Sequence, residues 1–210
     1  MRLAYRDTAA VAPGSPAVVL HGAGTASADD LTRVALASGA VGRVVAPFGD
    51  YAYTANGMEV AGICWYRILP GFAGTDRISL AKAVVQVCDL LDDLDLGPAV
   101  LIGWGQGGVV ALGCGLLRAA AVESVVCVDV DPVHVELLPA SVWADGAPPR
   151  VLLAASPLGD GPSLGVLRSY LGDRGIQAST WEGSEDVGVI GRDDALAQRI
   201  GSWLEDGTPR

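Results

Sequence analysis

The segment Gly103-Trp104-Gly105-Gln106-Gly107 has the spacing of a G-x-S-x-G nucleophile elbow, with glycine in the middle position. In that pattern a strand runs into a sharp glycine-framed turn, and a helix starts directly after it. The central side chain is thereby lifted clear of the sheet, where a serine hydroxyl can attack a carbonyl carbon. Gly105 has no atom with which to do so. The backbone part of the apparatus survives that loss. The amide of Gln106 stands at the first position of the expected helix, where N–H groups lack intrahelical acceptors and the dipole favours negative charge. A carbonyl, enolate or carboxylate oxygen fits such a site. Glycine also tolerates positive φ without penalty, so Gly105 reads equally as relief of strain in a tight turn.

The elements that would position this turn alternate strand and helix, which predicts an α/β domain with a mainly parallel sheet flanked by helices. Residues 1–7 read as an edge strand and residues 17–21 as a compact apolar strand ending in His21-Gly22. Residues 28–38 have helical spacing, and residues 43–46 form a short strand. The aromatic, glycine-rich stretch 48–75 reads as a long loop. Residues 79–94 are the clearest helix, with Leu80, Val84, Val87, Cys88 and Leu91 at helical spacing and Ser79 as N-cap. Asp89, Asp92, Asp93 and Asp95 form its solvated acidic end; a metal site there is the weaker reading. Residues 99–103 are the central strand and 106–120 the helix after the turn. Strand 124–130 leads into Asp131-Pro132. Strands 150–155 and 177–181 and helices 165–172 and 193–204 complete the pattern. The 210 residues read as one domain, 1–210, with no insertion large enough for a separate cap domain.

Composition narrows the partners. A formal charge of −10 disfavours nucleic acid and anionic membrane surfaces. No apolar run reaches the roughly 18 residues that span a bilayer, and the N-terminus lacks a signal peptide's apolar stretch. The expectation is a soluble, cytoplasmic protein whose partner is a small molecule. The four cysteines, Cys64, Cys88, Cys114 and Cys127, show neither C-x-x-C pairing nor metal-ligand spacing. In their apolar surroundings Cys88, Cys114 and Cys127 read as small buried hydrophobes. No G-x-G-x-x-G opens a first βα unit and no P-loop is present, so no cofactor and no metal are expected.

Taken together, Val18-Val19-Leu20-His21-Gly22, Ala46-Pro47, Cys64-Trp65-Tyr66 and Gly103-Trp104-Gly105-Gln106-Gly107-Gly108 resemble the α/β-hydrolases. More narrowly, the chain is similar to the small, capless phospholipase/carboxylesterase branch of serine esterases, over roughly residues 15 to 204. That branch usually carries Gly-Phe-Ser-Gln-Gly-Gly at the elbow. The resemblance implies an α/β-hydrolase fold and an oxyanion hole made by the amides of Gln106 and Ala23. It also implies a triad in which a serine attacks, a histidine takes its proton and an aspartate orients the histidine. The aspartate position matches Asp160. The histidine position, after the last strand near Gly183, holds Ser184 or Glu185. The sequence has only two histidines, His21 and His134. His21 belongs to the His-Gly pair of the oxyanion loop, where the family histidine is usually structural, and His134 reads as a surface residue. Losing the serine or the histidine of such a triad costs on the order of a millionfold in turnover.

Ordinary Ser-His-Asp hydrolysis is therefore not the expectation. Around the pocket that the resemblance implies lie Asp50, Tyr51, Tyr53, Trp65, Tyr66, Trp104 and Asp131. The aromatic residues suit a flat, apolar ligand oriented by hydroxyls; Trp65 and Trp104 read equally well as core packing. Asp160, Glu185 or His21 could serve as general acid or base if desolvated there. Asp129 and Asp131 close a strand's carboxyl end, where ligands collect in open α/β sheets. Three readings follow. The first is a non-hydrolytic enzyme that promotes proton transfer, cyclisation, isomerisation or lyase chemistry on a small carbonyl compound, such as a biosynthetic intermediate. The second is a catalytically dead pseudo-hydrolase that binds or senses a small molecule. A partner subunit with a collapsed pocket is the third. A residual esterase or thioesterase using another residue completes the set.

Overall fold

The computed structural model describes residues 3–8, 13–24, 28–55, 58–69, 74–138, 147–155, 164–183 and 194–207. Its centre is a seven-stranded sheet. In chain order the strands are β1 (Tyr5–Thr8), β2 (Ser15–Leu20), β3 (Val41–Pro47), β6 (Ala99–Trp104), β7 (Val122–Val128), β8 (Arg150–Ala155) and β9 (Ala178–Glu182). Across the sheet they run β1-β3-β2-β6-β7-β8-β9. All neighbours are parallel except β1, which pairs antiparallel with β3 at the edge.

Parallel sheets are buried on both faces, and the inner strands β2, β3, β6, β7 and β8 are accordingly largely apolar. Val18, Leu20, Leu101, Val125, Cys127, Val151 and Leu153 face one side, and join one apolar cluster. Their alternates Ala17, Val19, Val100, Ile102, Val126, Val128, Leu152 and Ala154 join a second cluster on the other. Helices α2 (Arg77–Leu94), α3 (Gln106–Leu117) and α5 (Leu164–Gly172) cover the first face. Helices α1 (Ala28–Ala37) and α6 (Asp194–Asp206) cover the second. No helix among the described residues is long and apolar enough to cross a membrane.

This arrangement sets the location of the site. The chain leaves β2 through α1 on one face and reaches β3 on one side. It leaves β6 through α3 on the other face and reaches β7 on the opposite side. Strand order therefore reverses between β2 and β6, and the crevice outside their carboxyl ends is where an open α/β sheet accepts ligands. His21-Gly22 and Gly105 are the residues that follow those two ends.

Helix α3 is buried along its whole length to Leu116, as a helix lying over the middle of the sheet must be. Small residues let it sit that close. A Cβ on Gly113 would come within 2.8 Å of Val84 and Leu138, and one on Gly115 within 2.5 Å of Val125. Helix α2 buries Leu80, Val84, Val87, Cys88 and Leu91, the apolar positions expected of it.

Two local expectations are corrected. Stretch 48–75 is not simply loop: β4 (Tyr51–Ala55) and β5 (Met58–Cys64) pair antiparallel, with Tyr51 opposite Cys64. Asn56-Gly57, between them in sequence, is the strongest short-range hairpin signal. The N-cap of α2 is Asp76, whose carboxylate accepts from the Ile78 N–H at 3.0 Å, because the helix begins two residues before Ser79. Ser79 is instead buried and donates to the Asp76 carbonyl at 2.9 Å. The short helix α4 (Pro132–Val135), capped by Asp131, was not among the expected elements.

Leu101 is fully buried in the central strand. Leu101→Ala should lower the free energy of unfolding by about 3 kcal/mol, read from the shift in urea midpoint.

Candidate active site

The elbow keeps its backbone without its side chain. Gly105 adopts φ 49° and ψ −115°, between the end of β6 and the start of α3. Its N–H donates to the Val128 carbonyl at 2.8 Å, and its carbonyl accepts from Gly108 and Val109 at 3.1 and 3.2 Å. The surrounding glycines are there for a different reason. A Cβ on Gly103 would lie 2.3 Å from the Gly107 carbonyl oxygen, and one on Gly107 would lie 2.1 Å from that of Leu20 and 2.4 Å from that of His21. Helix α3 thus abuts the end of β2 with nothing between their backbones. A Cβ on Gly105 would meet nothing within 4 Å. Its only restriction is positive φ, which side chains adopt at a cost on the order of 1–3 kcal/mol.

Over the turn sits the segment Cys64-Trp65-Tyr66, and the side chain of Gln106 holds it. Its Oε1 accepts from the Trp65 and Tyr66 N–H groups at 3.0 and 3.4 Å, and its Nε2 donates to the Tyr66 carbonyl at 3.2 Å. Gln106 therefore serves through its side chain as a strut, a role beyond the oxyanion donor expected of its backbone. A polar side chain opening an otherwise apolar helix was the sequence signal for it. Ala23 lies two residues beyond the His21 carbonyl that Gly107 abuts. Its neighbour Gly24 is tied to Ile63 of β5 by two backbone hydrogen bonds of 3.0 and 3.3 Å, so the hairpin fixes the loop after β2.

His21 is 1% exposed and stacks on Trp65 with ring centroids 5.0 Å apart. The Gly49 N–H donates to its Nε2 at 3.0 Å, which leaves Nδ1 protonated and donating to the Gly22 carbonyl at 2.5 Å. Burial holds its pKa below the usual value, partly opposed by the Gly22 hydrogen bond. Both ring nitrogens are engaged by backbone, so His21 corrects from candidate acid or base to a pin between β2 and β3. Trp65 is likewise core rather than ligand wall: it is fully buried, and its Nε1 donates to the His21 carbonyl at 2.8 Å.

The remaining candidates separate. Tyr53, Cys64, Tyr66 and Gln106 line a cleft of about 370 Å³ together with Ala52, Arg67, Ile68 and Leu69. Burial pushes the Cys64 thiol pKa up, partly opposed by Arg67. Tyr51 lies next to the cleft, with the Arg67 guanidinium 4.8 Å and the Lys82 ammonium 5.3 Å from its ring centre. Asp50 accepts from Lys82 and Gln86 at 3.0 and 2.7 Å. Trp104 packs on the other face of the sheet, against the α1 and α6 layer. Asp131 is exposed and caps α4 by accepting from the Val133 N–H at 2.9 Å. Asp160, Ser184 and Glu185 lie outside the described residues. The residues flanking them are neighbours: the Gly183 N–H, after β9, donates to the carbonyl of Ala155, the last residue of β8, at 2.9 Å.

His134 is the residue that the sequence reading missed. It is half-buried on α4, and its Nδ1 lies 2.9 Å from the hydroxyl of the fully buried Tyr66. Burial pushes the Tyr66 phenol well above its usual range, with Asp131 and Cys64 adding to the effect. The phenol thus stays protonated beside the His134 ring. Burial also lowers the His134 pKa, against an opposing contribution from Asp131. Its place just after Asp131-Pro132, a helix-start signal, was the available clue.

No family model and no curated protein matches this chain. Solved structures do. A crystal structure of esterase PE8 superposes with a TM-score of 0.71 at 22% identity, over 98% of this chain and 99% of that one. A carboxylesterase from Mesorhizobium loti gives a TM-score of 0.74 at 19% identity, over 97% and 94%. A carboxylesterase from Bacillus cereus gives 0.69 at 16%, over 98% and 95%. The fold is that of the α/β hydrolases, in the form found in these small esterases.

Two predictions follow from this geometry. Gly105→Ala should cost about 1–2 kcal/mol of stability, and Gly107→Ala about 3 kcal/mol or more, because only the second drives a methyl into backbone. Paired urea titrations measure the difference. Both histidines have native pKa values depressed below the ordinary 6.5, so the unfolded chain binds more protons as pH falls. Their contribution is whole above about pH 6.5 and is lost as pH drops through that value towards the lower native pKa. His21→Asn should flatten this part of the stability–pH curve.

Proposed function

We propose that this chain is an enzyme on an α/β-hydrolase scaffold that acts on a small carbonyl-containing compound without forming an acyl-enzyme at the elbow. The observation that carries the reading is Gly105. It holds the strained elbow backbone at φ 49° with open space above it, and has no nucleophile to present. A substrate carbonyl enters that space with its oxygen towards the first N–H groups of α3 and the loop at Ala23. Those donors polarise the carbonyl and acidify the hydrogen on the neighbouring carbon. Proton transfer, and the isomerisation, cyclisation or lyase chemistry that starts from an enolate, is the reaction class that needs nothing more than donors and a base. Asp160 and Glu185 are the carboxylate candidates for that base. His134, hydrogen-bonded to Tyr66, is the imidazole candidate.

The esterase and carboxylesterase names of the superposing structures favour a second reading, hydrolysis through a residue other than 105. The structure of YahD with malic acid, with a TM-score of 0.69 at 18% identity over 98% of this chain, is of a similar fold bound to a small carboxylic acid. It supports a pocket for small polar metabolites on this scaffold.

The two readings separate in one pair of measurements. Small ketones and oxo acids incubated with the protein in D₂O should take up deuterium next to the carbonyl faster than in buffer alone, followed by proton NMR. A fluorophosphonate probe should leave the intact mass unchanged. A stable phosphonyl adduct together with hydrolysis of p-nitrophenyl acetate would establish the hydrolase instead. Tight binding with neither activity would establish the binding protein.

A further inference from the structure

The cleft beside the elbow contains one fixed charge, Arg67, and no carboxylate among its lining residues. That is unusual for a chain with a net charge of −10. Five other described cations are paired with carboxylates: Arg6 with Asp29, Arg33 with Asp30, Arg43 with Asp7, Lys82 with Asp50 and Arg118 with Asp92; Arg150 donates instead to the carbonyls of Trp203 and Leu204. Among the residues whose side chains are described, no carboxylate pairs with Arg67.

Its position is nonetheless built. The Arg67 N–H donates to Ser79 Oγ at 3.0 Å, and its carbonyl accepts from the Asp76 N–H at 2.9 Å. The chain beyond it is tied back by a bridge between Ile68 and Thr75, and by a 2.8 Å hydrogen bond from the Leu69 N–H to Gly74. The guanidinium lies over Tyr51, its Cζ 4.8 Å from the ring centre. The capping turn of α2 thus anchors an arginine in the wall of the cleft. Ile68 and Leu69, both exposed, supply apolar surface beside it.

We propose that Arg67 is an anion-binding residue, and that the ligand of this cleft carries a carboxylate in addition to the carbonyl directed at α3. The ligand class is an oxo acid with an apolar body. The inference rests on the carbonyl-binding reading above for one end of the ligand and on Arg67 for the other. A planar guanidinium binds a carboxylate through two parallel N–H bonds, and the helix N-terminus adds positive potential at the opposite end.

The test uses three probes with the full chain: 3-benzoylpropionate, its uncharged amide, and 4-phenylbutyrate, which keeps the carboxylate but lacks the ketone. Dissociation constants are read by ligand-observed NMR. The acid should bind about tenfold more tightly than the amide. Arg67→Gln should abolish that difference, while Arg168→Gln, an exposed arginine outside the cleft, should preserve it. Equal binding of acid and amide, an acid preference that survives Arg67→Gln, or no binding of any probe would each overturn the assignment. The ketone-free acid reports on the other end alone. If it binds as well as 3-benzoylpropionate, the carbonyl site fails while Arg67 stands.

Discussion

The backbone-to-backbone contact between Gly107 and the carbonyls of Leu20 and His21 governs the rest of the site. It brings the N-terminus of α3 against the end of β2 at the point where strand order reverses. The turn at Gly105 and the Gln106 side chain are referenced to that contact. Gly103 permits it from the strand side, and the His21 ring, pinned to Gly49, fixes the neighbouring strand end. Gln106, one residue before Gly107, reaches up to hold Trp65 and Tyr66. A single Cβ in this contact would force the helix away from the strand and disturb the loop after β2 and the cleft together.

Gly105 differs in kind from the glycines around it. They are needed because something else occupies the space; Gly105 has room and only an unusual φ. The turn holds φ 49° and ψ −115° at the end of β6, with the first N–H groups of α3 directly after it. The cleft alongside supplies apolar walls and a cation. Tyr66 and His134 add a hydrogen-bonded pair whose protonation is set by burial.

Much of the architecture was legible in sequence because it depends on local pattern. The apolar strands, the helix with Val84, Val87 and Leu91, and the glycine-framed elbow each declare themselves within a few residues. The hairpin of β4 and β5 was hidden because its residues are aromatic and glycine-rich rather than cleanly alternating, although Asn56-Gly57 marked it. The roles of individual site residues were less legible, since they depend on contacts far apart in sequence. His21 is spoken for only because Gly49 comes to it. Trp65 is core only because it stacks on His21, and Trp104 faces away because strand residues alternate. Arg67 and His134 acquire meaning only when Tyr51 and Tyr66 are placed beside them.

Native mass spectrometry tests the central claim most directly. The protein would be equilibrated with a small-molecule extract of the cells that make it, and its mass taken under native and then denaturing conditions. A noncovalent site over Gly105 predicts a bound small molecule at one per chain in the native spectrum, lost completely on denaturation. A mass increment that survives denaturation would mean that the protein acylates itself, and would contradict the account.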